Sequence, residues 1–123
     1  MPSQQEHIEK ARHNERFFSS FDVAATPFLD WVVNGIFYSA LQYLDCYFAN
    51  KGKHPDTHSE RIREIWNESH LGRPFFLLYR PLKDDSEEGR YHMRVFHSEE
   101  VGRDVLPLLS KIKTHLKKFI PEI

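Results

Sequence analysis

The chain has 123 residues, of which 40% are hydrophobic and 28% are charged, a composition typical of one globular domain. Its 17 Lys and Arg residues balance 18 Asp and Glu residues, which excludes a protein-wide basic field, so any nucleic-acid site must be a local patch. The single cysteine, Cys46, excludes an intrachain disulfide, and the polar N-terminal segment lacks the apolar stretch of a signal peptide, so we expect a cytoplasmic protein.

The first two predicted elements are an amphipathic helix and a long apolar helix. Over residues 3–22, apolar residues recur at helical spacing between charged ones. After a short connector, Thr26 and Pro27 form a helix-start signal, and residues 28–50 are apolar on nearly every side. We interpret this segment as a central core helix rather than a membrane span, because four polar residues interrupt it: Asp30, Asn34, Gln42 and Asp45. Gly52 marks its end.

Four polar residues fall on one side of the central helix. At about 100° per residue they share a sector of roughly 80°, which we call the polar face: Asn34, Tyr38, Gln42 and Asp45. One interpretation is a stripe that faces solvent. The other is a surface that borders a cleft or a second subunit, which predicts a homodimer that pairs through these residues.

The second half of the chain predicts further helices. One begins at Asp56 or Thr57 and stops near Gly72. A short helix covers residues 74–82 and is ended by Pro81, residues 84–89 form a loop, and residues 90–97 fit either a loop or a helical turn. A last helix starts at Ser98–Glu100, and Pro107 either kinks it or marks its true start. The predicted fold is a single all-α domain, a bundle of four to five helices over residues 1–123.

Two groups of residues have types suited to chemistry. His54 and His58 are four residues apart, a spacing that zinc sites use, but no third ligand is evident, so we expect no metal and no other cofactor. The segment 90–97 carries two arginines and two histidines: Arg90, His92, Arg94 and His97. An arginine can hold a phosphate and a histidine can transfer a proton, so this group predicts metal-independent phosphodiester cleavage, with surface ion pairs as the alternative.

A composite pattern resembles HEPN-type domains. Asp30-Trp31, Phe37-Tyr38-Ser39-Ala40-Leu41 and Tyr47-Phe48-Ala49 resemble the central helix of that family, and residues 51–61 resemble the KGxHPxxHxxR turn of a bacterial and archaeal branch. His13-Asn14, Tyr79, Leu82, Ser86 and Arg90-Tyr91 also fit that branch. The resemblance extends from about residue 11 to residue 120.

The resemblance implies a helical bundle that commonly dimerises, and two alternative functions. Many members resemble metal-independent endoribonucleases with an Arg, four to six residues and a His, which here would be Arg90 and His97. Tyr91 and Gln42 stand where that pattern usually has a polar residue and a histidine, which favours a non-catalytic module that binds RNA or a protein. Such members resemble partners of nucleotidyltransferase-type proteins in toxin–antitoxin pairs. The residues expected in binding or interface contacts are Asn34, Tyr38, Gln42, Asp45, His54, His58, Arg61 and Arg94.

Overall fold

The structure, a computed structural model, describes residues 1–123 and contains helices without any strand. The helices are α1 (Gln4–Ser19), α2 (Leu29–Asn50), α3 (His58–Asn67), α4 (Gly72–Tyr91), the single turn α5 (Ser98–Glu100) and α6 (Leu106–Lys117), with a π-helical turn at Val101–Val105. The prediction of an all-α helical bundle is therefore confirmed.

Helix α2 is the centre of the bundle, as its apolar composition predicts. Fifteen of its 22 residues are buried, and α1, α4 and α6 pack around it. The buried apolar side chains of these helices form one continuous cluster, so the bundle has a single core. No helix combines the length and the apolar character that crossing a bilayer requires.

Local capping signals set several helix ends. The Ser3 hydroxyl accepts from the Glu6 N–H at 3.1 Å, and the Glu6 carboxylate accepts from the Ser3 N–H at 3.1 Å. Thr57 caps α3 in the same way through the Glu60 N–H. Helix α2 begins later than its start signal predicts, because the Thr26 hydroxyl binds the Phe28 N–H ahead of the first helical residue.

Helix α4 corrects the sequence prediction for residues 74–89. It continues through Pro81 to Tyr91, so the predicted stop at Pro81 and the predicted loop over 84–89 are wrong. A proline inside a helix costs about 3 kcal/mol, but here buried residues continue at helical spacing on both sides of it: Phe75, Tyr79, Leu82 and Ser86. Pro81 is exposed, and so is Leu77, whose carbonyl has no N–H donor at position 81 and can bind water instead.

The segment between α4 and α6 contains a loop, the turn α5 and the π-helical turn. Arg90 and Tyr91 end α4, and residues 92–97 form a loop in which Met93 has a left-handed backbone (φ 55°). Pro107 lies in the first turn of α6, directly after the π-helical turn, within a helical run that is continuous from Ser98 to Lys117.

Candidate functional site

A groove of about 360 Å³ lies between α1, α2 and the C-terminal end of α4. We call it the Arg90 groove. Three of the residues that line the groove belong to the polar face of α2. No Asp or Glu is among the lining residues. Its lining residues are Lys10, His13, Asn14, Phe17, Trp31, Asn34, Gly35, Tyr38, Gln42 and Arg90.

The polar face of α2 forms the floor of this groove because Asn34, Tyr38 and Gln42 recur every four residues on one side of the helix. Only part of this face reaches solvent, because Tyr38 and Gln42 are half-buried while the other two residues are buried. Asn34 is only 6% exposed and Asp45 only 5% exposed. The face instead borders cavities between helices, and its two most buried side chains bind partners inside the same chain.

Helix α1 supplies the facing wall. Lys10, His13 and Phe17 lie three or four residues apart, so one side of α1 presents all three to the groove. The two helices approach closely at Gly35, where an added Cβ would lie 2.8 Å from the Cβ of Phe18. A side chain at position 35 would therefore push α1 away from α2 and widen the groove.

Arg90 is held rigidly at the edge of the groove without an acidic partner. Its Nη1 donates to the Tyr38 hydroxyl at 2.5 Å, and its Nε donates to the Ser86 carbonyl at 3.3 Å. The guanidinium carbon lies 5.3 Å from the centre of the Tyr38 ring and 4.9 Å from that of Tyr91. The aromatic faces stabilise the cation while leaving its remaining N–H groups free to bind an anion.

The two amide side chains of the floor are also fixed. The Ser86 hydroxyl donates to Asn34 Oδ1 at 2.8 Å, a contact between buried side chains of α4 and α2. Gln42 Oε1 lies 2.7 Å from Nδ1 of the nearly buried His7 on α1. This contact ties the polar face of α2 to α1.

A second cavity of about 250 Å³ adjoins the groove across Gln42. Its best-defined feature is a bidentate ion pair in which Arg61 Nε and Nη2 each lie 2.9 Å from one oxygen of Asp45. Burial alone would lower the pKa of Arg61, but hydrogen bonding to Asp45 raises it above the ordinary value. Arg61 therefore ties α3 to α2, and neither residue of the pair is free for an external ligand. The cavity is lined by Met1, Pro2, His7, Gln42, Asp45, Lys53, His54, Pro55, Asp56 and Arg61.

The two histidines with metal-like spacing have separate environments. His54 lines the second cavity, whereas His58 begins α3 and packs 5.9 Å from the ring centre of Phe37. The Nδ1 atoms of both are buried without a hydrogen-bond partner. Burial lowers the pKa of His58, and the nearby positive charge of Arg61 lowers it further. No three His, Cys, Asp or Glu side chains are grouped so as to hold a metal ion.

Arg94 lies outside the groove and is neutralised by three carboxylates. Its Nη1 donates to Asp85 and to Glu88, each at 2.6 Å, and its Nη2 donates to Glu100 at 2.7 Å. These contacts fasten the loop 92–97 to α4 and α5. Arg94 is thus a structural residue of the loop, and its charge is not available to a phosphate in the groove.

The structure does not bring Arg90 and His97 into one cleft of a single chain. His97 is exposed immediately before α5, and its backbone N–H donates to Glu100. The imidazole that shares the groove with Arg90 belongs instead to His13 of α1. An Arg90–His97 site would require a second subunit to place its His97 near this groove.

The chain matches no protein-family model, no curated protein and no solved structure. The HEPN resemblance therefore stays a prediction. Sequence reasoning missed Lys10, Phe17 and Trp31 as groove residues. A signal for the first two was present, because Lys10, His13 and Phe17 share one side of the first predicted helix.

Proposed function

We propose that this protein is a HEPN-like helical module that binds single-stranded RNA in the Arg90 groove. The observation that carries the proposal is Arg90 itself, a half-buried arginine that makes no ion pair, donates to the Tyr38 hydroxyl and lies over the Tyr91 ring. Lys10 adds a second cation, and the absence of acidic lining residues leaves the groove positive in a protein of net charge −1. Such a patch favours an anionic ligand by local charge rather than by a protein-wide field.

Aromatic side chains at the rim favour a nucleic acid over a simple anion. Phe17 is 44% exposed and Trp31 is 53% exposed, and both line the groove. Stacking of an unpaired base on such a ring contributes about 1–3 kcal/mol. The bases of a duplex are already stacked and paired, so the groove should prefer a single strand.

The charge of the groove also predicts the salt dependence of binding. The groove holds two cations, Lys10 and Arg90. The logarithm of the RNA association constant should therefore fall with the logarithm of the salt concentration at a slope of about −1.4, from roughly −0.7 per phosphate contact on single strands. A slope several times steeper would show that RNA binds elsewhere, at a more highly charged surface.

The test compares matched arginine variants of α4. We expect Arg90→Ala to weaken binding of a labelled single-stranded RNA by about tenfold or more, because a charge-assisted contact contributes about 1.5–3 kcal/mol. The control is Arg80→Ala, since Arg80 lies on the exposed side of the same helix and pairs with Asp84. Equal affinities for the two variants in fluorescence anisotropy, or no RNA binding by the native protein, would reject the proposal.

The alternative, an endoribonuclease that uses Arg90 and His97, makes a different prediction. Because His97 lies outside the groove of its own chain, we expect wild type and His97→Ala to leave single-stranded RNA equally intact in the presence of a chelator. Cleavage by wild type that disappears in His97→Ala would establish catalysis and would imply a shared site between two subunits.

For the protein partner we propose a second copy of the chain, at the surface beside the groove. Residues of the loop 92–97 and its approach carry exposed apolar side chains, of which Met93 is 90%, Val95 76% and Tyr91 70% exposed. The sequence predicts pairing through Asn34, Tyr38 and Asp45, but Asn34 and Asp45 are buried within the chain and are not available to a second subunit. Light scattering should report a dimer that Met93→Asp together with Val95→Asp dissociates. A monomeric native protein would contradict this and leave a nucleotidyltransferase-type protein as the expected partner.

A further inference from the structure

The hydrogen-bonding groups on the floor of the Arg90 groove are donors. Asn34 Oδ1 accepts from Ser86, and Gln42 Oε1 lies 2.7 Å from His7 Nδ1. The Tyr38 oxygen accepts from Arg90, which leaves its own O–H to donate. The floor therefore offers two amide NH₂ groups and one hydroxyl O–H as donors to a ligand.

The cations above this floor are donors as well. Lys10 has three N–H groups and no acceptor, and Arg90 keeps several N–H groups beyond those bound to Tyr38 and Ser86. On the α1 wall, Asn14 is the one amide whose oxygen makes no hydrogen bond, and rotation of that amide can present its NH₂ to a ligand. A ligand group that fits the Arg90 groove must accept several hydrogen bonds and carry negative charge.

Nucleobase edges do not meet that requirement, because they carry no negative charge at neutral pH. A phosphate carries acceptors alone. An internal phosphodiester has one negative charge and two terminal oxygens, whereas a phosphomonoester has three terminal oxygens and a charge of about −1.5 to −2 at pH 7. The two fixed charges of Lys10 and Arg90 match the phosphomonoester.

We propose that the Arg90 groove captures a terminal phosphomonoester, with the adjoining base stacked on Phe17 or Trp31. The inference rests on the proposed RNA-binding function and names the part of the strand that the groove recognises. The groove volume of about 360 Å³ suits one nucleotide rather than a longer segment. The phosphate lies over the floor formed by Asn34, Tyr38 and Gln42, and the rest of the strand leaves towards solvent.

The test uses one RNA octamer in three forms: with a 5′-phosphate, with a 3′-phosphate, and with hydroxyl groups at both ends. We expect one phosphorylated form to bind at least tenfold more tightly than the hydroxyl form at pH 7.5. A nucleoside monophosphate is added as a competitor, and displacement as effective as that by the octamer assigns the groove to free nucleotides rather than strand ends.

A charge variant of the floor separates recognition from general affinity. Gln42→Glu places an anionic acceptor beneath the phosphate and should abolish the preference for the phosphorylated end. The matched control is Gln5→Glu on the exposed side of α1, which should keep that preference. Equal binding of all three octamers would overturn the terminal-phosphate proposal and leave RNA binding intact. Failure of every octamer to bind would overturn the proposed function as well.

Discussion

The ion pair between Asp45 and Arg61 offers a sharp test of how α3 is held on the bundle. In Asp45→Asn the side chain keeps its size, and its remaining oxygen can still accept one hydrogen bond from Arg61. The other position becomes an NH₂ group that faces a second guanidinium N–H at the former 2.9 Å contact. The substitution therefore leaves a largely buried arginine charge without its counter-ion.

The magnitude follows from burial. Removing one partner of a fully buried ion pair costs about 3–5 kcal/mol. Because 12% of the Arg61 side chain and 7% of the Asp45 side chain are exposed, we expect the lower end of that range, about 3 kcal/mol. For a domain of this size each kcal/mol lowers Tm by about 3–5 °C, so Tm should fall by roughly 9–15 °C.

Urea unfolding followed by far-ultraviolet circular dichroism measures this loss directly. The control is Asp84→Asn, which breaks the exposed pair with Arg80 and should change the free energy of unfolding by less than about 0.5 kcal/mol. The double variant Asp45→Asn/Arg61→Met removes the unpaired charge and should recover at least half of the loss. A loss below about 1 kcal/mol for Asp45→Asn, or no recovery in the double variant, would refute the reasoning.

Three further substitutions test other contacts. Gly35→Ala should lower the free energy of unfolding in urea by about 1–3 kcal/mol, because its Cβ would lie 2.8 Å from Phe18. Gly102→Ala should instead raise it by up to about 1 kcal/mol, because that Cβ meets nothing within 4 Å and Ala favours a helical turn over Gly; equal effects would contradict the helix contact. Burial raises the pKa of Cys46 to about 12. The stabilisation from this raised pKa is fully present below the unfolded-state pKa of about 8.5. Above that pH the unfolded chain loses a proton that the folded chain keeps, so the free energy of unfolding should fall by about 1.4 kcal/mol per pH unit. Cys46→Ala should reduce this slope between pH 9 and 10. Arg94→Ala should increase amide hydrogen exchange over residues 92–97, because three carboxylates lose their common partner; unchanged exchange would show that the loop is held by other contacts.

Local sequence signals determined most of the helical architecture. The all-round apolar character of residues 28–50 identified the central helix, and Thr57 and Gly52 marked neighbouring helix ends. These features depend on a residue and its neighbours within one or two turns, which is the range over which periodicity, caps and a left-handed glycine act. The grouping of Asn34, Tyr38 and Gln42 on one side of that helix was visible for the same reason.

Tertiary packing decided the site. Lys10 and Arg90 line the same groove although 79 residues lie between them in the chain. No local sequence pattern predicts that they share it. Helix α4 carries Arg90 to the groove only because burial on both sides of Pro81 outweighs the local cost of the proline. Arg94, four residues further on, instead faces three carboxylates. Whether an arginine is free or neutralised depends on which helices pack together, and that is a property of the folded bundle rather than of any short stretch of sequence.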